Sequence, residues 1–161
     1  MKEIPLTRDK VAIIDDEDYE RINQHKWYAY KSKRTFYAQR RDGKKILWMH
    51  RIIINPSPDE QIDHINGDGL DNRKSNLRIA TQHQNTMNCR KRAIHRGKPP
   101  SSKYKGVSKC KTTGHWIVQL GFNGSYIWGG TYLTEIEAAK AYDIKAKELF
   151  GIYAKTNFEV K

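Results

Sequence analysis

Residues 61–85 constrain this chain more than any other stretch. They read Gln-Ile-Asp-His-Ile-Asn-Gly-Asp-Gly-Leu-Asp-Asn-Arg-Lys-Ser-Asn-Leu-Arg-Ile-Ala-Thr-Gln-His-Gln-Asn. A short segment with apolar flanks ends in Asp63-His64. A polar loop carrying Gly67 and Gly69 follows, then a strand-like run from Leu77 to Ala80. Thr81 and Gln84 stand at capping-box spacing, where a hydroxyl and an amide satisfy each other's N–H groups at a helix start. The pattern predicts strand, loop, strand, helix. It draws Asp63, His64, Asn76 and Asn85 together from three pieces of backbone.

Those residue types suit hydrolysis of a phosphodiester. A hard divalent cation, Mg²⁺ or a substitute such as Mn²⁺, takes oxygen ligands and keeps several waters. The Asp63 carboxylate and the Asn85 amide oxygen are then enough protein, and nucleic-acid phosphate oxygens complete the shell. The His64 side chain can face the other way, toward a water. A neutral imidazole can take that water's proton near pH 7, which is worth roughly 10²–10⁴-fold in rate. Asn76 could hold the ring. Each residue alone also fits an ordinary turn, since Asn, Asp and Gly dominate turns for backbone reasons; the chemistry rests on the four together. Two other histidines compete for a role. His83 points to a different helix face from Asn85, and His50, in an apolar run, reads as structural or as facing nucleic acid.

The stretch resembles the HNH homing endonucleases, the ββα-metal nucleases of phage and intron type. The resemblance rests on Asp63-His64-Ile65-Asn66-Gly67, on Leu70-Asp71-Asn72-Arg73, on Asn76-Leu77-Arg78 and on Asn85. It implies His64 as general base, Asp63 as metal ligand, and Asn76 as the residue that orients His64 and ties the loop down. Asn85 holds the motif's third letter, which is His in many members. An Asp/Asn pair is harder than a site with His and implies Mg²⁺ over Zn²⁺.

The net charge of +12 favours a polyanionic partner, here double-stranded DNA. No stretch approaches the roughly 18 apolar residues of a membrane span, and residues 1–7 lack a signal-peptide apolar region. No membrane partner is expected, and residence is expected to be cytoplasmic. Cys89 and Cys110 form no CxxC pair, so two free thiols are expected.

Ahead of the motif, Val11–Ile14 reads as a buried strand, and the acids at 15–18 suit the start of a short helix over about 17–24. Three runs, 27–30, 35–38 and 45–49, read as a meander with basic residues among aromatics, Arg40 and Arg41 included. That mixture suits a sheet laid on phosphates. Residues 1–92 form the expected nuclease domain, with its catalytic core at about 48–92. Between Thr86 and Lys111 there are nine Lys or Arg and no acid. Arg90, Lys91 and Arg92 are expected to extend the helix that carries Asn85 and to contact DNA. The linker that follows, 93–101, is expected to track phosphates.

Residues 102–161 show a second pattern: three strand-like runs, an Asn123-Gly124 hairpin signal, and a helix over 135–150 opened by Thr134 and Glu137 and closed at Gly151. An apolar stripe of Ala138, Ala141, Tyr142, Ala146 and Leu149 would pack it on one face of the sheet. This unit resembles the plant Apetala-type ethylene-response-factor DNA-binding domain, through 102–107, Trp116, 128–132, 137–143 and Asn157-Phe158. The resemblance implies contacts from the open sheet face by Lys105, Gln119, Tyr126 and Trp128, with Lys109 beside them. Ser108, Cys110 and Gly121 stand where the plant pattern has arginines, so base specificity differs.

The fold class expected is thus α+β: a ββα-metal HNH nuclease domain preceded by a small antiparallel sheet, then a three-stranded antiparallel sheet packed on one helix. The function expected is metal-dependent cleavage of DNA by a monomer, at a site chosen by the second unit. The alternative is a DNA-binding regulator without catalysis.

Overall fold

The computed structural model describes residues 1–89, 91 and 99–158. The chain divides into two compact units, Met1–Asn85 and Thr86–Lys161. Both mix helices with small antiparallel sheets.

In the first unit, β1 (Lys2–Pro5) pairs antiparallel with β2 (Val11–Ile14). Alternation turns Ile4, Ala12 and Ile14 into the core. The sequence predicts only the second of these strands. A 3-10 turn, Asp16–Asp18, leads into α1 (Tyr19–Asn23), with its acids in the first turn as expected. Ile22 enters the core and its carbonyl accepts from Trp27 Nε1 at 2.9 Å. The meander is present as β3 (Tyr28–Lys31), β4 (Phe36–Asp42) and β5 (Lys45–Trp48), in spatial order β3-β4-β5. One face buries Ala29 and Ala38. The register places Tyr28, Gln39 and Trp48 on the other face, together with the Tyr30–Tyr37 pair.

The apolar run after Trp48 is not more strand. It is a helix, α2 (Met49–Ile54), which buries Met49 and Ile53. Asn55 ends it in the left-handed region, φ 51°, its N–H bonded to the Arg51 carbonyl, and Pro56 prevents continuation. β6 (Gln61–His64) and β7 (Leu77–Ala80) then form a two-stranded sheet, and α3 (Gln82–Met87) follows. The helix ends at Met87, with Asn88 in a turn; the sequence predicts that it extends through 90–92, of which 90 and 92 lie outside the described residues.

The second unit has β8 (Val107–Lys109), β9 (Trp116–Phe122) and β10 (Ser125–Tyr132) in order β10-β9-β8, packed on α4 (Glu135–Phe150). Asn123 and Gly124, φ 48° and 77°, make the tight hairpin that the sequence signals. The α4 capping box forms, with Glu137 N–H donating to Thr134 Oγ1 at 3.2 Å and Thr134 N–H to Glu137 Oε2 at 3.1 Å. The buried stripe is Ala138, Ala139, Tyr142, Ala146 and Phe150. Leu149, expected inside, is 37% exposed, because Phe150 fills the end of the core instead. A register shift between Trp128 and Gly130 lets Gly129 lie on Val118, where a Cβ would come within 2.3 Å of the valine side chain.

Candidate active site

Asp63 and His64 close β6. In the antiparallel register Asp63 stands opposite Arg78 and His64 opposite Leu77. Both β6 side chains are buried, at 4% and 6% exposure. α3 follows β7 directly, and its N-terminus is fixed by the expected capping box: Thr81 N–H to Gln84 Oε1 at 2.8 Å, and Gln84 N–H to Thr81 Oγ1 at 3.2 Å. Gln61 reaches the same turn through Gln82, Nε2 to Oε1 at 2.6 Å. Asn85, half-buried, lies one turn in, with its N–H on the Thr81 carbonyl.

The loop between the strands is tied down by its own side chains. Asn76 Oδ1 accepts from the Asn66 N–H at 3.0 Å, and Asn76 Nδ2 donates to Asn66 Oδ1 and to the Asp71 carbonyl. Asp71 is buried, accepts from Asn66 Nδ2 and pairs with Arg73 Nε and Nη2 at 2.7 Å each. The Arg73 guanidinium holds the Asp71 carboxyl below the usual carboxylate range. Asn72 is wholly buried because the loop is stitched to β2: Ile13 N–H to the Leu70 carbonyl, and Asn72 N–H to the Ile13 carbonyl. At Gly69 the loop passes so close to β4 that a Cβ would sit 2.4 Å from the Phe36 carbonyl oxygen.

This geometry divides the two roles expected of Asn76. It ties the loop, but its side-chain bonds go to Asn66 and Asp71 and not to the imidazole. The amide next to His64 belongs to Asn72, whose Oδ1 lies 3.4 Å from His64 Nε2. Asn72 Nδ2 donates to the Leu70 carbonyl at 3.1 Å, which turns Oδ1 toward the ring. An acceptor there favours the proton on Nε2 and puts the lone pair on Nδ1.

Two aromatic edges frame the same ring. Tyr37 lies 5.6 Å from His64 between centroids and His50 lies 5.2 Å away, both edge-on. Trp48 stacks on His50 at 6.2 Å. His50, read from sequence as structural or facing nucleic acid, is a neighbour of His64 because α2 turns it inward. Burial pushes the His64 pKa down, against the raising influence of Asn72 and Asp63. Burial first, and then His64 and Arg51, push His50 down to about 3. Both rings are neutral at pH 7.

An HNH endonuclease family model matches residues 48–87, from the end of β5 to the end of α3. An uncharacterized HNH endonuclease of Acanthamoeba polyphaga mimivirus is 32% identical over 159 residues, covering 91% of this chain and 74% of its own length. The chain belongs to the HNH endonuclease family. An AP2-like ethylene-responsive transcription factor of Arabidopsis thaliana is 48% identical over 61 residues, 37% of this chain. A second ethylene-responsive transcription factor of that plant is 44% identical over 61 residues. This chain spans only 18% and 14% of the length of those two plant proteins.

In the HNH unit, Arg40 and Arg41 line a cavity of about 410 Å³ together with His25, Lys26, Tyr28 and Gln39. The Arg40 guanidinium lies over Trp27, and its Nε is buried without a hydrogen bond. Arg90 and Arg92 lie outside the described residues. Lys91, expected on phosphates, instead donates its ammonium to the Tyr104 and Val107 carbonyls, and burial lowers its pKa. Lys105 likewise donates to the Met87 carbonyl. In both, an ammonium satisfies backbone acceptors of the second unit. Gln119, Tyr126 and Trp128 share the open face of the sheet, the latter two 79% and 55% exposed. Lys109 is exposed on β8 with its ammonium over Trp116.

Proposed function

We propose that this HNH endonuclease is a divalent-metal-dependent DNA nuclease of the homing type, and that β6, β7 and α3 form its ββα-metal core. The observation that carries the reading is His64: a buried, neutral imidazole at a strand end, oriented by Asn72 and next to a buried carboxylate. Asp63 and Asn85 would hold the cation. Their oxygens fit a hard ion, and among the described residues no group of three His, Cys, Asp or Glu forms a richer metal site. Water and phosphate oxygens complete such a shell. The bound ion supplies charge stabilisation at the phosphate and the leaving oxygen.

The protein's own part is proton transfer. His64 Nδ1 takes a proton from water, the water oxygen bonds to phosphorus, the bond from phosphorus to the 3′ oxygen breaks, and that oxygen takes a proton from solvent, to which His64 later returns its own. The products are a 5′-phosphate and a 3′-hydroxyl. Asn76 and Asp71 keep the loop closed around the base, and Tyr37 and His50 exclude water from its edges. Tyr126, Trp128, Gln119 and Lys109 carry the second unit onto duplex DNA, so that this unit chooses where the first one cuts. Arg40 and Arg41 are phosphate contacts of the nuclease unit. A chain with a single site cuts one strand per event, and the protein works as a monomer.

The test is conversion of supercoiled plasmid by the full chain with Mg²⁺ and with EDTA. Metal-dependent open circle, lost in His64→Ala while gel-shift affinity stays within about two-fold, is the expected result. The rate loss is roughly 10²–10⁴-fold for a general base. Clear gel shifts without conversion under any divalent ion would replace this reading with a DNA-binding regulator. No helix among the described residues is long and apolar enough to cross a membrane.

A further inference from the structure

Each buried carboxylate around His64 arrives with its own cation. Asp63 Oδ2 accepts from Arg78 Nε at 2.9 Å and from Nη2 at 2.6 Å. The pair is directly cross-strand, so the antiparallel register itself enforces it. Its side chains are 5% and 13% exposed, and salt screens such a pair little. Asp71 is taken up by Arg73 through both of its oxygens, Nε on Oδ1 and Nη2 on Oδ2. His64 is neutral and the Asn85 amide carries no charge. The donor set therefore presents no net negative charge to a dication, and an ion on Asp63 would sit within a few ångströms of a guanidinium. At that range, in a poorly hydrated site, the repulsion is comparable to the carboxylate's attraction.

We propose that Arg78 makes metal binding at Asp63 conditional on DNA: the guanidinium holds the carboxylate and disfavours the cation until a DNA phosphate brings the missing negative charge. This rests on the assignment of Asp63 as metal ligand in the nuclease reading. The arrangement keeps the buried carboxylate paired before the ion arrives, where an unpaired one would be strongly destabilising. It also disfavours a loaded, reactive centre in the absence of substrate. Reciprocity requires the metal to tighten DNA binding by the same factor that DNA tightens metal binding.

The experiment measures Mn²⁺ binding to the full chain by electron paramagnetic resonance, with and without duplex DNA, in a His64→Ala background that blocks turnover. The expected result is weak Mn²⁺ binding to the free protein and a gain on the order of ten-fold with DNA, within the usual range of coupling between sites. Arg78→Gln should raise the free protein's Mn²⁺ affinity by about ten-fold and flatten the gain. Arg78→Lys retains the charge and should retain the weak binding. An Arg78→Gln protein with native circular dichroism and unchanged or weaker Mn²⁺ binding overturns the proposal. So does an intact chain whose Mn²⁺ affinity is indifferent to DNA, however the variants fold. Asp63→Asn separates the two readings. If it leaves Mn²⁺ binding untouched, or if no protein binds Mn²⁺ even with DNA, the ligand assignment itself fails and the gate falls with it.

Discussion

Two imidazoles whose centroids are 5.2 Å apart make stability a function of pH. His50 is held down to about 3 by burial, and His64 is lowered by the same cause. The unfolded chain, with histidines near 6.5, therefore binds more protons than the folded one between pH 3 and pH 6.5. Folded pKa values below the unfolded ones mean stability is complete above pH 6.5 and falls as the solution is acidified. At pH 5 His50 alone should remove about 2 kcal/mol relative to pH 8. Thermal melts of the His64→Ala chain at the two pH values check it, and His50→Phe, which keeps the ring contacts, should remove most of the difference. Asn72 carries a second residue-scale prediction. Asn72→Leu keeps the branched shape of the side chain but removes the acceptor at His64 Nε2 and the donor to the Leu70 carbonyl, so the lone pair is no longer confined to Nδ1. Cleavage should slow by about ten-fold or more with DNA affinity unchanged, as read from single-turnover rates beside gel shifts. Sequence does not disclose either residue's role. The placement of Asp63 and His64 on a strand end and of Asn76 in the loop between strands was legible because turn glycines and a capping box bracket them locally. His50 and Asn72 reach His64 only through tertiary placement, one on a helix and one on a loop bonded to β2.

At the level of elements, what was legible was whatever carried its own punctuation. Thr81 with Gln84, Thr134 with Glu137, and Asn123-Gly124 each satisfy or set backbone groups by local chemistry, and the two helix starts and the hairpin turn they set lie where the sequence puts them. α2 lacks such a start: Trp48 makes no side-chain cap, and Ile52, Ile53 and Ile54 are β-branched residues that favour strands. It is helical because Met49 and Ile53, four apart, share the core face. β1 was hidden because Lys2, Glu3 and Pro5 give no apolar run; it exists as the partner of β2. The C-terminal segment shows a similar tertiary device. Buried Asp143 on α4 accepts from the Asn157 and Phe158 N–H groups at 2.7 and 2.9 Å and from Asn157 Nδ2. Asn157 in turn exchanges bonds with the backbone of Lys105. Asp143→Ala should therefore release both the C-terminal segment and the entry to β8, at about 2 kcal/mol or more for charged hydrogen bonds lost at once. Urea titration followed by tryptophan fluorescence measures it, with Asp143→Asn in between because its amide oxygen retains acceptors.

For the whole molecule, charge and shape divide the work of holding DNA. Of the net charge of +12, residues 1–85 carry +3 and residues 86–161 carry +9, yet the structure takes particular cations out of the count. Lys91 and Lys105 are bound to backbone carbonyls, Arg73 and Arg78 to buried carboxylates. Their replacement should disturb folding or the cleavage centre more than the dependence of affinity on salt. Lys109 and Arg41 are exposed and make no ion pair among the described residues. Each phosphate neutralised contributes close to one unit to the slope of log affinity against log salt. Lys109→Gln and Arg41→Gln should each lower that slope by about 0.9, and together by about twice that, equally on all duplex sequences. Trp128→Ala and Gln119→Ala, on the open sheet face, should leave the slope alone and instead narrow the preference among sequences. Filter-binding isotherms from low to moderate salt, on random duplex and on the best-cut fragment, separate the two behaviours. If Lys91→Gln changed the slope as much as Lys109→Gln without changing stability, its ammonium would be working on DNA, and the carbonyl contacts would not be what holds it.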